Sequence, residues 1–581
     1  MSFIVKKKIN GKEYYYLNES KRINGKVVSK YLAYLGKDKD EAEKKAQKIL
    51  KERGEGKEMK TKEVIPEEKN LVKRQISIDE LAAFCKRKGF VYQSGEIYGG
   101  LAGFYDYGSL GQALKKNFEN VWRRYFLDLN SNFYEIEASE IMPSNVFVAS
   151  GHLKNFSDIA AKCKKGHIER VDTLIERCIH KKLDGLSVEE WTNLVKENKA
   201  LCSTCKSMIE YIGPINMMFS IQLGIGTTTT AYLRPETAQS PYVNFKTEFE
   251  VARNRLPLGL ALIGRAYRNE LSPRNLLLRQ RAFTQAELQI FFNPAKIGEH
   301  EDFESVKDYK LIVIQSTNRD AGIIKVSCNE LATRIPKFYV YYMAKVQQFY
   351  LDILKFEESK FRFYELNDKE KAFYNKYHFD MEVNLPVVGW TELGGVHYRT
   401  DHDLKGHQEI SKQNLSVMDE ETKERFIPHV LELSFGVDRN FQAILSYAYN
   451  YSRERDNIVL SLNPKLAPIK ASIFPIVKVD ENLVKISRNI FNDLKRDFSV
   501  IYDDGGSIGR RYSRADEMGV PMCITVDEET LKDDSATIRD RDSTQQVRVK
   551  ISRLGEVVRK VVSGESVLNL GKIVKTRVKE S

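Results

Sequence analysis

The stretch that most constrains the fold is a basic segment framed by two apolar runs, at residues 256–292. The run LPLGLALIG (256–264) precedes the segment and AELQIFF (286–292) ends it. Short apolar runs on either side of a polar connection are typical of buried strands joined by a loop. We therefore predict two neighbouring buried strands, with a loop too charged to be only a solvated turn.

The charged residues of this segment, and of the word RPETAQ (234–239) before it, combine arginines with glutamates. They are Arg234, Arg265, Arg268, Arg274, Arg279 and Arg281, with Glu236, Glu270 and Glu287. A guanidinium matches phosphate oxygens in a two-pronged contact, and a carboxylate accepts hydrogen bonds from an ammonium or an exocyclic amine. The pattern favours a site for a phosphorylated ligand, and the alternative is a lattice of salt bridges on an ordinary hairpin.

Several words of the sequence resemble one enzyme family. AYRNE (266–270) is similar to motif 2 of class II aminoacyl-tRNA synthetases, and HVLELSFGVDR (429–439) resembles motif 3. RPETAQ, YRNELSPR and AFTQAE resemble words of glycyl-tRNA synthetases of the archaeal and eukaryotic homodimeric type. Independent words in the right order are much more specific than a lone motif. The resemblance extends over residues 77–563.

The resemblance implies an α+β fold built from a class II catalytic domain with an antiparallel sheet, at residues 77–465. A zinc-knuckle insertion is expected at about 160–210 and a mixed helix-and-strand insertion at about 300–380. An α/β anticodon-binding domain follows at 466–581. The strand ending at Pro143 belongs to motif 1, which builds the dimer interface of the family; the simpler alternative is that this proline only ends a strand.

The N-terminal residues 1–62 lie outside this resemblance. Residues 1–36 alternate basic and aromatic side chains, and two ING-K steps predict hairpin turns between strands. They weakly resemble the opening segment of some archaeal transposase-like proteins. We interpret them as a small basic β module that contacts RNA, binds DNA as a separate activity or only aids solubility. Residues 37–62 are rich in lysine and glutamate, which predicts a solvated helix and linker.

The implied activity is that of a glycine–tRNA ligase. ATP and glycine would give glycyl-adenylate and pyrophosphate, and the glycyl group would then pass to the 3′ end of tRNA-Gly. The first step needs positioning and charge neutralisation more than a protein nucleophile. The implied partners and cofactors are glycine, ATP, tRNA-Gly, Mg²⁺, a structural Zn²⁺ and a second copy of the chain.

The resemblance also assigns the nucleotide-binding residues. Arg268 would hold the α-phosphate and the substrate carboxylate, Glu270 would orient the adenine amine, and Phe283 would stack on the base. Arg279 and Arg439 would reach the β- and γ-phosphates. The catalytic set is Arg268, Glu270 and Arg439. The ATP-binding set is Arg268, Asn269, Glu270, Arg279, Gln280, Phe283, Glu392, Leu393 and Arg439, with Glu392 acting through Mg²⁺.

The glycine end of the site is assigned to Glu236, Glu287, Glu432 and Ser434. Three carboxylates suit one ammonium group, and the serine would help to exclude a methyl group at Cα. Glycine has no smaller competitor, so no editing domain is needed, and no stretch of the sequence suggests one.

Four residues have the composition and spacing of a metal knuckle. They are Cys163, His167, Cys202 and Cys205, in the pattern C-x3-H and C-x2-C. Thiolates and imidazoles are the ligands that Zn²⁺ prefers. The related enzymes carry four cysteines here, so His167 is a departure from their pattern. Cys178 and His180 compete as ligands, and the alternative is a set of free cysteines.

The C-terminal region alternates strands and helices, and its words SIGRRY, RADE and IRDRDS resemble the anticodon-binding domain of the family. Candidate tRNA-contacting residues are Arg510, Arg511, Arg514 and Arg539. The alternative is that arginines in runs such as RDRD pair with carboxylates inside the protein.

Composition limits the remaining classes of function. The 581 residues carry 92 Lys and Arg against 80 Asp and Glu, a net charge of +12, which fits a polyanionic partner. Seven scattered cysteines and no apolar run of membrane-spanning length predict a cytoplasmic protein without a membrane partner. Two competing interpretations are a class II synthetase of another specificity and a catalytically silent tRNA-binding paralogue.

Overall fold

The computed structural model describes residues 76–574 apart from 182, 184, 185, 227, 373, 420 and 421. N-terminal to these it describes 2–9, 12–23, 26–36, 42, 45, 46, 49, 61–63, 71 and 72. The chain forms two compact units, Met1–Val72 with Ser452–Asp456, and Lys73–Tyr451 with Asn457–Ser581. Within the described ranges no helix combines the length and the apolar character that crossing a membrane requires.

The first unit contains a small basic sheet. Strands Ser2–Ile9, Lys12–Ile23 and Lys26–Gly36 pair antiparallel as two successive hairpins, which confirms the prediction from the ING-K steps. Thr61–Glu63 pairs parallel with the first strand. The buried side chains here are Tyr15, Leu17, Leu35, Ala42 and Ala46. Most of residues 37–62, predicted as a charged helix and linker, lie outside the described residues.

The second unit is organised around a nine-stranded sheet. In spatial order its strands are Ile324–Ser327, Lys310–Ile314, Phe361–Glu365, Tyr377–Leu385, Gly389–Thr400, His429–Gly436, Ala282–Phe292, Leu258–Tyr267 and Phe133–Glu135. The second and third strands pair parallel, as do the last two, and the other neighbours pair antiparallel. The predicted class II fold with a mainly antiparallel sheet is confirmed.

The two apolar runs of the sequence form the predicted strand pair. Leu258–Tyr267 and Ala282–Phe292 run antiparallel, in a register from Leu258 opposite Phe291 to Tyr267 opposite Ala282. The runs are mostly apolar because both faces of the sheet are covered at this point, although the buried polar residues Glu287 and Gln289 interrupt the second run. Leu260, Leu288 and Ile290 are fully buried. The connecting loop, residues 268–281, leaves this pair at the edge of the candidate active site.

The segment predicted as a mixed insertion at about 300–380 extends the same sheet. It supplies the strands Lys310–Ile314, Ile324–Ser327 and Phe361–Glu365 and the start of Tyr377–Leu385. Its helix Lys337–Gln348 is buried nearly all round, so its aromatic side chains belong to the main core.

Helices cover both faces of the sheet. Those of the catalytic core are Ile78–Lys88, Ser109–Leu127, Ser144–Ala149, His152–Asn155, Gln239–Val251, Cys328–Leu331, Lys337–Gln348, His402–Ser411 and Val437–Ala448. Ile78–Lys88 shows how the sequence sets such bounds: the Ser77 hydroxyl accepts from the Glu80 amide, and Gly89 ends the helix in a left-handed conformation.

Shorter strands complete the core. Val91–Gln93 pairs with Tyr105–Tyr107, and Val417–Met418 pairs with Arg425–Phe426. Ile141–Pro143, the strand assigned to motif 1, joins a three-stranded sheet with Thr229–Leu233 and Ser220–Leu223. The remaining strands are Tyr449–Ser452 and Asn457–Leu460.

The segment predicted as a zinc-knuckle insertion has its own sheet and core. Strand Ser157–Cys163 lies between Ile168–Arg170 and Ile209–Asn216, antiparallel to both. Helices Val171–Ile179 and Val188–Glu197 pack on this sheet, and the second begins with a capping box between Ser187 and Glu190.

The C-terminal domain is α/β. Its sheet has the order Val500–Tyr502, Ala471–Pro475, Met522–Val526, Ser535–Asp540, Gln546–Lys550 and Lys572–Ile573. The first three strands are parallel and the others are antiparallel. Its helices are Glu481–Leu494, Ile508–Met518, Thr530–Asp533 and Leu554–Ser563. The predicted α/β fold of this region is confirmed.

Candidate active site

Three adjacent strands of the central sheet bring the candidate glycine-binding residues together. Glu287 lies opposite Ser434, which lies opposite Gly395 on the next strand. Two residues further on, Glu432 lies opposite His397. Residues two apart on a strand share a face, and directly opposed residues have neighbouring side chains. The register therefore places two carboxylates and the serine hydroxyl side by side.

These side chains line a cavity of about 290 Å³. It brings together almost all of the residues predicted for glycine and ATP. They are Glu236, Arg268, Glu270, Arg279, Gln280, Phe283, Glu287, Glu392, Leu393, Glu432, Ser434 and Arg439. Asn269 lies outside this lining, and its amide donates to the Met217 carbonyl over 2.7 Å.

Glu287 is buried and held by three donors. The Ser434 hydroxyl and the Gln285 side chain donate to Oε1 over 2.7 and 2.8 Å, and the Thr237 hydroxyl donates to Oε2 over 2.7 Å. Burial, and then the nearby carboxylates of Glu432 and Glu236, raise the pKa of Glu287 to about 8 against the effect of those donors.

The sequence interpretation missed a buried arginine behind these glutamates. Arg399 donates to both oxygens of Asp403 over 2.9 and 3.0 Å, to Glu432 over 3.0 Å and to Glu236 over 3.3 Å. Its side chain is only 2% exposed. The word RTDHDL (399–404) contained the signal, since an arginine and an aspartate four residues apart flank the start of a helix, but its spacing does not reveal the two glutamates.

Arg399 separates the three glutamates electrostatically. Burial raises the pKa of Glu432, but Arg399 and His397 outweigh it and bring that pKa down to about 2. The same guanidinium, followed by His152, holds the pKa of Glu236 well below its ordinary value despite burial. Two carboxylates of the glycine end are therefore ionised and compensated, and Glu287 is the one that titrates near neutral pH.

Arg268 lies at the nucleotide end of the cavity. Its guanidinium carbon is 5.1 Å from the centroid of the Phe283 ring and 5.3 Å from that of Phe156. Its Nε donates to the Pro235 carbonyl over 3.0 Å. One nitrogen is thus used to fix the side chain, and an arginine has four further N–H groups to offer a ligand.

Two ion pairs border the rest of the cavity. Arg279 donates through Nε to Glu270 over 2.7 Å. Arg439 approaches the Glu392 carboxylate to 3.0 Å and donates to its carbonyl over 3.1 Å. Arg279 and Arg439, the candidate ligands of the ATP phosphates, are therefore held at the rim of the cavity. Glu270, assigned to adenine, holds the first, and Glu392, assigned to Mg²⁺, holds the second.

A second acidic group near Glu392 also escaped the sequence interpretation. Asp380 lies 2.9 Å from the Nε2 atom of His378, and both line the cavity. Burial, and then the charge of Glu392, raise the pKa of Asp380 to about 6. Carboxylate oxygens are the donors that Mg²⁺ prefers, so Glu392 and Asp380 fit this ion beside a triphosphate.

The four candidate metal ligands converge in the insertion. The ligand atoms of Cys163, His167, Cys202 and Cys205 all lie within 4.8 Å of one another. The Cys163 sulfur is 3.6 Å from both the His167 Nδ1 and the Cys205 sulfur. Ligands about 2.0–2.3 Å from a tetrahedral Zn²⁺ are separated by similar distances, so the group fits this ion.

The competing ligand Cys178 has another neighbour, because its thiol approaches the Leu174 carbonyl to 3.5 Å. Neither Cys178 nor His180 belongs to the metal-type group found among the described residues.

The candidate tRNA-contacting arginines separate into two pairs. Arg539 is buried and donates to both oxygens of Asp516 over 2.9 and 3.0 Å. Arg511 is 3% exposed and donates to the carbonyls of Pro475 and Gly506. These two guanidiniums are used inside the domain and do not reach a ligand at the surface. Arg510 is exposed, and Arg514 is partly exposed and paired with Asp503 over 2.6 Å.

Two family models match the chain. Residues 226–448 match the tRNA synthetase class II core domain (G, H, P, S and T), and residues 470–561 match the anticodon binding domain. In fold, the chain is similar to a prolyl-tRNA synthetase from Cryptosporidium parvum, with a TM-score of 0.52 and 12% identity over 84% of this chain and 77% of that one.

Glycine–tRNA ligases of several organisms match this chain over nearly the whole of their own length. The glycine–tRNA ligase of Pyrococcus furiosus is 36% identical over 82% of this chain and 98% of its own length. Those of Methanothrix thermoacetophila and Methanococcus maripaludis are 34% and 33% identical, over 84% and 82% of this chain and 97% and 98% of theirs. Because these identities of 33–36% extend over more than four fifths of this chain and nearly the whole of each relative, this chain belongs to the glycine–tRNA ligase family.

Proposed function

We propose that this chain activates glycine with ATP and transfers the glycyl group to the 3′ end of tRNA-Gly. The observation that carries the proposal is the cavity on the central sheet. One end presents buried carboxylates in register with a serine, and the other end presents arginines and an aromatic ring. A small ammonium compound at the first end would direct its carboxylate toward a phosphate held at the second.

Activation joins a glycine carboxylate oxygen to the α-phosphorus of ATP and breaks the bond from that phosphorus to the oxygen bridging to the β-phosphate. Arg268 is placed to neutralise charge at this centre, and Phe283 offers a face for the adenine. Glu270 can accept from the adenine amine while it holds Arg279, because a carboxylate has about four lone-pair sites. Arg279 and Arg439 would bind the departing pyrophosphate.

Glu392 and Asp380 are the residues that would hold Mg²⁺ in this arrangement. The ion would neutralise part of the triphosphate charge. The Arg439 guanidinium, 3.0 Å from Glu392, would align the same phosphates from the protein side.

At the other end, Glu287, Glu236 and Glu432 would surround the ammonium group. Selectivity for glycine follows from packing, because the Cα of a bound amino acid would face Ser434 and the opposing Gly395. A methyl group added there would overfill a packed site, which excludes alanine more strongly than an open pocket would.

The proposal extends to assembly and location. We assign Zn²⁺ to the Cys163, His167, Cys202 and Cys205 group, where it would stabilise the insertion. We also propose that the chain acts as a homodimer in the cytoplasm. None of the seven cysteines, all of them among the described residues, is in a disulfide, and a reducing compartment would keep them so.

Pyrophosphate exchange into ATP, measured with one amino acid at a time, tests the proposal. We expect glycine to support exchange and alanine to be at least about 100-fold less effective, as expected for a pocket that collides with a methyl group. Exchange with another amino acid in place of glycine would indicate a different specificity. Absence of exchange with every amino acid would indicate a silent tRNA-binding paralogue.

A further inference from the structure

The insertion contacts the nucleotide end of the active site through a chain of alternating charges. Asp172 pairs with Arg170 over 2.7 Å, and Arg170 pairs in turn with Asp158. The Asp158 carboxylate is 3.6 Å from Arg279, whose other neighbour is Glu270 at 2.7 Å. The first three residues belong to the insertion and the last two to the loop between the two central strands.

A side-chain contact and two backbone hydrogen bonds also join the insertion to the loop at residues 268–281. Phe156, two residues before Asp158, lies against the Arg268 guanidinium. The Phe156 carbonyl accepts from the Met217 amide over 3.1 Å, and the Met217 carbonyl accepts from the Asn269 amide over 2.7 Å. The two ends of the insertion therefore support the loop that carries Arg268 and Glu270.

We propose that Asp158 is a positioning residue for the nucleotide site, acting through Arg279. The inference rests on the proposed function, because it takes Arg279 as a ligand of the ATP phosphates. Asp158 would be the second anion on this guanidinium. Asp158 would keep Arg279 at the rim of the cavity before ATP binds. It would continue to do so when Glu270 accepts a hydrogen bond from the adenine amine.

The contact between Asp158 and Arg279 is partly shielded from water. The Asp158 side chain is 16% exposed and that of Arg279 is 23% exposed, so water screens the pair only partly. Burial raises the pKa of Asp158 and the charge of Glu270 adds to this rise, whereas Arg170, which contacts Asp158 from the other side, and Arg279 oppose it. Neither contact was visible in the sequence, because Asp158 and Arg279 are far apart in the chain.

Equilibrium binding of ATP to the full-length protein, measured by calorimetry without glycine or tRNA, tests the inference. Asp158→Asn removes the charge at nearly constant size, and we expect a Kd for ATP about fivefold higher, the upper range for the loss of one partly screened ion pair. Asp158→Glu keeps the charge and is expected to bind within about threefold of the wild type. A defect in glycine specificity would leave this measurement unaffected.

Asp172→Asn is the matched control, because Asp172 pairs with the same Arg170 but does not reach Arg279. We expect its ATP Kd to stay within about twofold of the wild type, because Arg170 keeps its pair with Asp158 and Asp158 keeps its contact with Arg279. A double-mutant cycle with Arg279→Gln completes the test, since Asp158→Asn should then have less than about a twofold further effect.

Three results would overturn the inference. They are unchanged ATP binding by Asp158→Asn, an equal loss in Asp172→Asn, and an undiminished effect of Asp158→Asn in the Arg279→Gln background. The second and third would show that Asp158 supports the insertion as a whole. Thermal unfolding of every variant confirms that the proteins compared are folded.

Discussion

At the scale of single residues, the glycine end shows how surroundings separate chemically identical groups. Glu432 and Glu287 lie on neighbouring strands of one sheet, but only Glu432 contacts the Arg399 guanidinium. The pKa of Glu432 falls to about 2, whereas that of Glu287 rises to about 8. Opposite charge within hydrogen-bond distance favours ionisation, and burial near like charges opposes it.

Glycine binding should therefore depend on pH through Glu287. The ammonium favours the ionised carboxylate, which is the minor form below a pH of about 8. We expect the Kd for glycine to fall by up to about tenfold per pH unit between pH 6 and 8 in wild-type protein. Calorimetric titration with glycine measures this slope, and a Kd constant over that range would contradict the assignment.

Glu287→Gln should remove both the affinity and its pH dependence. The neutral amide loses a charge-assisted contact worth about 1.5–3 kcal/mol.

The same substitution, Glu287→Gln, also tests how the stability of the protein without glycine depends on pH. The ordinary pKa of the carboxyl is 4.5 and its folded value about 8, so its contribution to stability is present below pH 4.5 and is lost as the pH rises to about 8. The free energy of unfolding of the variant should therefore change less with pH between pH 4.5 and about 8 than that of the wild type.

Arg268→Ala should abolish most of the adenylate formation. The guanidinium lies between Phe156 and Phe283 with N–H groups free to meet the α-phosphate, and removal of one such donor costs about 10²–10³ in rate. Glycine-dependent pyrophosphate exchange measures the loss. Arg274→Ala, at an exposed position of the same loop, is the control and should stay within about twofold. An Arg268→Ala rate within about threefold of wild type would exclude the role.

At the scale of elements, the C-terminal domain uses part of its positive charge to hold itself together. Arg539 projects from strand Ser535–Asp540 onto Asp516 of helix Ile508–Met518. Arg511, on the same helix, donates to the carbonyl of Pro475, the last residue of strand Ala471–Pro475. The alternative drawn from the sequence, that arginines in runs such as RDRD pair with carboxylates inside the protein, describes Arg539.

Arg539→Ala and Arg510→Ala should separate structure from binding. The first removes two charge-assisted hydrogen bonds from the buried Asp516 carboxylate, and we expect a loss of about 3–5 kcal/mol in the free energy of unfolding. The second should change stability by less than about 0.5 kcal/mol and reduce the salt dependence of tRNA binding by about one charge. Urea unfolding and tRNA titration at several salt concentrations measure the two effects. If the two variants are equally stable, the structural role assigned to Arg539 is wrong.

The insertion is the element that should depend on a metal. Its core buries five large apolar side chains, Val171, Leu174, Ile175, Trp191 and Val195, and ligand bonds at the Cys/His group would add to the folding energy of this core. We expect elemental analysis to find about one zinc per chain, and Cys202→Ser with Cys205→Ser to release it. Less than about a tenth of an equivalent in wild-type protein never exposed to chelator would count against the site.

At the scale of the whole molecule, the catalytic core and the C-terminal domain belong to one compact unit. The Asn117 side chain donates to the carbonyls of Leu466 and Ala467 over 3.1 and 3.0 Å, and Lys88 pairs with Glu517. Ser461 donates to Asp542 over 3.0 Å. These contacts hold the anticodon-binding fold at a set position relative to the reaction site, as an enzyme that reads one end of a tRNA and charges the other requires.

The sequence alone determined what local pattern can carry. Mostly apolar runs specified the strand pair around residues 256–292, turn residues specified the N-terminal hairpins, and close Cys and His pairs specified the metal group. The family resemblance predicted twelve of the pocket residues, because family motifs record side chains that meet one ligand. Each of these signals is contained within a few neighbouring residues of the chain.

Which distant groups compensate one another depends on how the whole chain packs. The partners of Arg399, of Arg539 and of Asp158 come from other strands, helices and loops, and no spacing in the sequence relates them. Strand register decided that Glu432 meets this arginine and Glu287 does not. Because the energy of a buried charge depends on the atoms within a few ångströms, the roles of these residues follow from packing across the sheet and not from residue type.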